Sequence, residues 1–470
     1  MTPPPLRVFL FHRDLRVKDN LALNRFLKDS RDNSARNMFL FVFDVAQAWA
    51  SRNPYFSAPA FSFMKECLVD LDKQLRENLT VLEGPLVQTV RSLNERYGIE
   101  ALYFNQDYTP YAIERTRALA KELGEDRVIA VEGDYTMVPL NSVCTKTGDP
   151  YKVFTPFYRA FLKRDVPAPH TAAGLARVAG AAVHASENKA ALLKPEDTGV
   201  GALPGGRRHA LARLRRPYER YASMRDVPHE DATTKLSAYL KFGCVSVREV
   251  FHDLAARYTD AHALPRELVW REFYANIVHN HPRVLRGQVS DRPNSAFDTG
   301  GQWWDAARPQ KTTQALLERW ELGTTGFPIV DAGMREMSQT GYMHNRLRMI
   351  CASFLVKDLH IDWREGERVF ARSLVDYDPA SNSGGWQWSA GVGTDAQPWY
   401  RVFNPWTQSK KFDPDCKYIK RWVPELDTVP AGDIHKWDAT HHKHAGVHPP
   451  PCVDHATARK IYLDQVRSAS

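Results

Sequence analysis

The stretch Asp376-Tyr377-Asp378-Pro379-Ala380-Ser381-Asn382-Ser383-Gly384-Gly385-Trp386-Gln387-Trp388 puts two acids, two amides, two glycines and two tryptophans into thirteen residues. Two indoles at i and i+2 behind a Gly-Gly pair are more than filler. Glycine lets backbone approach a ligand closely and takes positive φ freely. Acids and amides can hydrogen-bond the edge of a heteroaromatic ring. Indoles stack on a flat π system or relay an electron. The stretch therefore reads as a pocket for a large planar cofactor, rather than for a metal or a phosphate alone.

Working outward, 470 residues suffice for two or three domains with a sizeable core. The net charge of +8 and a pI near 9.0 suit a polyanionic partner, though many basic proteins bind no nucleic acid. Of the 12 tryptophans most fall after residue 260, and some must be ordinary core aromatics. The six cysteines are scattered without a CxxC pair, which excludes zinc and redox motifs of that kind and implies reduced thiols in an intracellular protein. Nothing in the sequence has the length and apolarity of a membrane span, and no signal peptide opens it. The expected compartment is cytoplasm or nucleus, with an organelle left open. Met1 to Pro5 reads as a loose lead-in.

Short apolar runs at Val8–Phe11, Phe39–Phe43, Val81–Glu83, Leu102–Asn105 and Val128–Val131 read as buried strands. Amphipathic stretches near 19–28, 57–77, 86–98 and 111–124 read as helices between them. Such alternation predicts an α/β fold with a doubly wound parallel sheet. It lacks the G-x-G-x-x-G of a dinucleotide fold. From 135 to 205 the pattern loosens, and Ala172–Ala191 with its Pro-rich edges reads as a surface connector. Beyond Gly205 the periodicity is helical. The expected division is 1–134, a connector 135–205, and an all-α part 206–470. The polar end holds His435, His441, His442, His444 and His448, whose spacing could bind a metal but reads rather as a solvated tail.

Several patterns carry two readings each. Glu267, Trp270, Arg271 and Tyr274 share one helix face, either a pocket wall or a wet face with a Glu267–Arg271 ion pair. Asp376 and Asp378 serve a ligand or cap a turn or helix. Thr233-Thr234-Lys235-Leu236-Ser237 offers hydroxyls and consecutive N–H groups to phosphate, or an N-cap. Met349 by itself reads as a gap-filling thioether.

Taken in order, further motifs make a larger pattern. They are Phe11-His12-Arg13-Asp14-Leu15-Arg16 with Asp19-Asn20, Tyr151 to Phe157, Trp270-Arg271-Glu272-Phe273 and Gly326 to Ala332. Met343 to Met349, Asp362 to Glu367 and Arg401 to Pro405 complete it. The chain resembles the photolyase/cryptochrome family almost end to end, nearest its class I cyclobutane pyrimidine dimer branch. The resemblance implies an α/β antenna domain and an all-α domain holding non-covalent FAD, reduced in the active form. It implies a light-driven DNA repair lyase that splits cyclobutane pyrimidine dimers by electron transfer, acting as a monomer on UV-damaged DNA. A flipped-out lesion is expected with it, photolyases being among the enzymes that extrude the base they act on.

Residue by residue, the resemblance puts Glu267 and Trp270 on the lesion, with Met349 and Trp388 lining its cavity. It puts Arg271, Asn345, Arg348, Asp376 and Asp378 on the flavin, Arg348 paired with Asp376. Asn382 sits by flavin N5. Tyr221 and Thr233, Thr234, Lys235, Leu236 and Ser237 hold the diphosphate. Trp386 and Trp363 are the inner members of an electron relay whose outer member is assigned to Trp304, with Trp303 beside it open. Arg225, Arg346 and Arg401 grip DNA phosphate. The family usually carries an antenna, methenyltetrahydrofolate or 8-hydroxy-5-deazaflavin, but Trp49–Asn53 and Asn105–Tyr111 lack its bacterial folate residues, so folate in a different pose, deazaflavin and no antenna all stay open. The alternatives are a blue-light signalling cryptochrome and a 6-4 photolyase. Asn382 argues against the first, and Asn345 and Met349, in place of a His pair, against the second.

Overall fold

The computed structural model describes residues 4–32, 35–180, 182–186, 188–201, 203–259, 263–286, 309–398 and 400–469. It groups them into two compact units. One comprises residues 1–198, 203–217 and 234–282; the other comprises 199–202, 218–233 and 283–470.

The first unit is built on strands β1 (Leu6–Phe11), β2 (Arg36–Phe43), β3 (Leu79–Glu83), β4 (Ile99–Asn105) and β5 (Val128–Val131). All pair in parallel, in the order β3-β2-β1-β4-β5, with Val8 opposite Met38 on one side and Leu102 on the other. These are the five strands expected from sequence, and the order reverses between β1 and β4. Crossovers carry α1 (Leu21–Asp29), α2 (Ala58–Gln74), α3 (Leu86–Tyr97) and α4 (Pro110–Leu123). Helix α1 starts at Leu21 rather than 19, because Asp19 takes φ 54° and the Asn20 side chain caps the helix by accepting from Leu23 N. Apolar side chains of β1, β2 and β4, among them Val8, Leu40 and Leu102, form a core with Val90, Leu93 and Leu119 from α3 and α4.

The motif Phe11 to Asn20 proves to be a buried polar lock at the carboxyl end of this sheet. Asp14 accepts from His12 N at 2.7 Å and from Asn105 and Asn20 side chains. Arg16 pairs with Asp134 at 2.8 Å, and Arg248 with Asp19 at 3.0 Å. Burial first, then Asp134, pushes the Asp14 carboxyl above its ordinary range. A buried network of this kind, with every carboxylate paired or hydrogen-bonded, favours one arrangement of the loops.

Ahead of Ala172–Ala191, the segment 135–205 contributes buried side chains. Helix α5 (Phe154–Phe161) buries Phe154, Phe157 and Phe161, and Tyr135, Met137 and Val138 are also buried. This aromatic face at helical spacing packs the connector onto the first unit. The same unit holds α6 (Arg207–Leu214), α7 (Ser237–Lys241), α8 (Val247–Arg257) and α9 (Ala263–Asn280).

The second unit is helical among its described residues: α10 (Gln310–Glu321), α11 (Pro328–Thr340), α12 (Asn345–Lys357), α13 (Trp363–Ser373), α14 (Pro379–Ala390), α15 (Pro405–Phe412), α16 (Lys417–Trp422) and α17 (His455–Ala469). Its core contains Trp320, Phe354, Trp363, Phe370, Trp386, Tyr418 and Trp437, so several of the tryptophans are core aromatics. The histidine-rich end is not a solvated tail. His435 and His448 are buried, and His448 bridges Asp331 at 2.9 Å and Glu425 at 3.1 Å. These partners lie on distant stretches of chain, which spacing alone does not reveal. Among the described residues no group of three or more His, Cys, Asp or Glu is placed to hold a metal, and no helix is long and apolar enough to cross a membrane.

Candidate functional site

In the helical unit, α12, α13 and α14 pack against one another and bring the polar residues of the opening stretch together. Asp376 lies just before α14 and is buried. Its carboxylate receives two bonds from Arg348 Nη2, at 2.8 and 3.1 Å, as the resemblance implies. Burial alone would lower the Arg348 guanidinium, but Asp376 offsets this and holds it above its ordinary value. Tyr342 lies 5.3 Å from that guanidinium and hydrogen-bonds Thr233, so Thr233 joins the same cluster.

The Asp378 side chain caps α14 by accepting from Ser381 N at 3.0 Å through one of its two oxygens. Asn382, one turn into α14, donates from its amide to Glu367 of α13 at 3.0 Å. Burial raises the Glu367 carboxyl above its ordinary range, against the lowering effect of Asn382. With its nitrogen so engaged, Asn382 has a carbonyl oxygen to offer an N–H. Glu367 belongs to a sequence motif but has no role assigned from it, since nothing in sequence joins it to a residue fifteen positions on.

The glycines depart from expectation. Gly384 and Gly385 lie inside α14, and the left-handed residue is Gly391 (φ 80°), which ends the helix. Gly385 matters instead for space: a Cβ there meets nothing within 4 Å, so this flank of α14 is open. Gly366 of α13 does the opposite. A Cβ there would lie 2.2 Å from the Trp386 ring, so the glycine is what lets α13 and α14 close over that indole.

Trp386 and Trp363 are both buried, and the Nε1 of each is buried without a hydrogen-bond partner. Trp386 touches Phe370 at 4.9 Å and Trp320 at 6.1 Å, both edge-on. Sequence does not single out Trp320, because nothing local separates it from the other core indoles. Trp303 and Trp304 lie outside the described residues. Trp388 is half-buried, as is Met349, whose sulfur lies 3.8 Å from the Asn345 amide. Arg346 pairs with Asp226 at 2.8 Å, Arg225 lies 6.0 Å from the Tyr221 ring, and Arg401 is exposed.

In the first unit, Trp270 stacks on Phe154 with ring centroids 3.5 Å apart and planes 5° from parallel. Tyr274 adds a second stacked ring at 5.8 Å. Glu267 is half-buried on the same helix. Arg271 donates to the Tyr135 carbonyl at 2.7 Å. Glu272, also without a role assigned from sequence, is fully buried and accepts from the backbone of Met137 and Val138. Burial pushes its carboxyl up to about 7, against the pull of those N–H bonds.

The segment Thr234–Ser237 forms a tight turn. Lys235 is left-handed (φ 50°) and Leu236 right-handed (φ −82°, ψ −8°), with Leu236 N bonded to the Thr234 hydroxyl at 3.3 Å. Alternation of hands points successive N–H groups to one side and makes a concavity for an anion. The first unit thus carries a turn shaped to suit an anion, and the second, by itself, carries an acid–amide set on a helix with an open flank. The acid–amide set suits the edge of a heteroaromatic ring, such as the flavin of FAD.

The fold and the acid–amide set on α12 to α14 suit a flavoprotein. The comparisons agree. The family described as DNA photolyase matches residues 7–172, and that described as the FAD binding domain of DNA photolyase matches 263–468. The chain is 36% identical to a deoxyribodipyrimidine photo-lyase of Salmonella typhimurium, covering 99% of each. It is similar in structure to an archaeal photolyase of Sulfolobus tokodaii with two FAD molecules (TM-score 0.83, 34% identity, 98% of this chain and 100% of that one). It is also similar to a Synechocystis cryptochrome (TM-score 0.82, 25% identity, 99% of each). The chain belongs to the DNA photolyase family.

Proposed function

We propose that the protein is a light-driven DNA repair lyase that binds FAD and splits cyclobutane pyrimidine dimers in UV-damaged DNA, working as a monomer. The observation that carries this reading is the Arg348–Asp376 pair just ahead of α14, the helix that carries Asn382 and the open flank at Gly385. FAD, when bound and reduced, supplies the photoexcited electron donor that such a reaction needs. The residues of the chain bind and orient. Asp376 and Asn382 offer acceptors to the ring edge, with Asp376 held in place by Arg348. Asn345, Asp378 and Arg271 complete the ring's surroundings. Tyr221, Thr233 and the turn Thr234–Ser237 take the diphosphate. Glu267 and Trp270 meet the dimer by hydrogen bond and stacking, and Met349 and Trp388 border it. Arg225, Arg346 and Arg401 take phosphates, which position the duplex without reading sequence. Trp386 and Trp363, with Trp304, are the indoles along which an electron reaches the site from outside.

Two companion readings belong here. In the α/β unit a second chromophore fits the carboxyl ends of β1 and β4, where open parallel sheets bind ligands. His12 Nε2, Tyr135 OH and Arg115 Nε are buried there without hydrogen-bond partners. Exposed Trp49 and Tyr111 lie on the same side of the unit, at the ends of β2 and β4. Folate, deazaflavin and a second flavin are the candidates. Cryptochrome-type signalling is favoured by the fold match alone, and Asn382 stands against it.

One experiment tests the main reading. The purified protein should show a flavin spectrum and, under blue light, should restore an oligonucleotide carrying a cyclobutane dimer while leaving a 6-4 photoproduct intact. Colourless protein that cannot take up FAD would overturn the site. A flavin-loaded protein inert on the dimer would turn the reading towards signalling.

A further inference from the structure

Arg346 is not waiting free for phosphate. Its Nη2 lies 2.8 Å from Asp226 Oδ1, with side chains 17% and 41% exposed. The guanidinium sits 4.3 Å above the Phe412 ring at the end of α15. Its Nε is buried with no hydrogen-bond partner. The guanidinium is thus held on one face by an aromatic ring and at one edge by a single carboxylate, with further donor capacity to spare. Arg presents a planar fork that fits carboxylate and phosphate alike.

We propose that Asp226 is a built-in stand-in for a DNA phosphate: it holds Arg346 in position in the free protein and is displaced when the duplex binds. The inference rests on the DNA-binding reading of Arg346. A partly exposed ion pair is weak in water, so exchange of one anion for another is easy. Phe412 holds the guanidinium over its ring during the exchange, since a cation over an aromatic face is attracted there. The carboxylate that leaves Arg346 stays near the phosphate and repels it. Asp226 therefore subtracts from the part of the affinity that damaged and undamaged DNA share. It leaves the lesion-specific part alone and shortens visits to undamaged DNA.

The test measures duplex affinity of the full chain against salt for Asp226→Asn, Asp226→Glu, Arg346→Ala and the Asp226→Asn/Arg346→Ala double variant. Asp226→Asn should bind undamaged and dimer-containing duplex about 2–5-fold more tightly at low salt, the range set by a weak exposed pair. Its slope of log K against log salt should steepen by up to about 0.9, one phosphate's worth. Asp226→Glu keeps the charge and should stay near the parent. In the Arg346→Ala background the Asn substitution should gain nothing. Unchanged or weaker binding by Asp226→Asn, with an unchanged melting temperature, overturns the proposal and makes Asp226 a support for Arg346. A gain that persists without Arg346 also overturns it. If Arg346→Ala itself binds duplex like the parent, the DNA reading of Arg346 has failed instead.

Discussion

Asn382 sits where an amide can donate to one neighbour and accept from another, and Glu367 has taken the donor. Replacing it by Asp puts two carboxyls within hydrogen-bond reach, and such a pair cannot both ionise cheaply. Asn382→Asp should therefore change which flavin redox state persists in air, read from the absorption spectrum of fresh protein. An unaltered spectrum would remove Asn382 from the neighbourhood of flavin N5. Glu272 gives a second expectation at this scale. Its folded value of about 7 lies above the roughly 4.3 of a free Glu. The folded state holds that proton more tightly than the unfolded chain, so this group's contribution to stability is full below about pH 4.3. It is lost as pH rises to about 7. Glu272→Gln should flatten the fall in melting temperature between pH 5 and 8, and a parallel fall in both proteins would mean that Glu272 is ionised throughout. Asp376 and Asn382 are legible in the sequence because acids and amides beside glycine and indole are unusual company. Glu272, Glu367 and Asp226 are not, because each acts through a partner far along the chain.

Among the elements, the α13–α14 contact depends on one missing methyl group. Gly366→Ala would push a Cβ into the Trp386 ring, and overpacking of this sort costs about 1–3 kcal/mol. The variant should melt lower and, with its indole displaced, photoreduce its flavin more slowly. A parent-like melting temperature would show that α13 shifts aside at no cost. Trp386→Phe tests the chemistry without the clash. Phe keeps much of the bulk but oxidises far less readily, so photoreduction of oxidised flavin should stop while chemically reduced enzyme still repairs. Photoreduction at the parent rate would show that the electron bypasses Trp386, and Trp320, 6.1 Å away, is the indole to examine next. The strands are legible from their apolar runs, since a parallel strand buried on both faces admits little else. The connector is harder to read because its Ala- and Gly-rich part draws attention from Phe154, Phe157 and Phe161, whose helical spacing is a core signal. The histidine-rich end misleads for a related reason: polar composition suggests solvent, while the acids that bury His448 lie on other stretches.

For the whole molecule the question is how a basic protein tells a damaged duplex from an intact one. Phosphate contacts act on both alike, and stacking on an extruded base acts on one. Arg346→Ala should weaken binding to damaged and undamaged duplex to a similar degree, and each phosphate released should lower the salt slope by roughly 0.9. Trp270→Ala should instead remove stacking worth on the order of 1–3 kcal/mol and affect lesion binding selectively. The structure adds a control. Phe154 already covers one face of Trp270, so the alanine variant also loses a stacked pair inside the first unit. Melting temperature must be read beside affinity, and Phe154→Leu serves as the comparison, since it removes the internal stack while keeping the indole. If Trp270 reads the lesion, Phe154→Leu should lose much less lesion affinity than Trp270→Ala at a comparable loss of stability. Equal losses from Trp270→Ala on damaged and undamaged DNA, or equal losses of lesion affinity from the two variants, would mean that the indole supports α9 rather than meeting the dimer. Lesion recognition would then fall to Glu267, Met349 and Trp388.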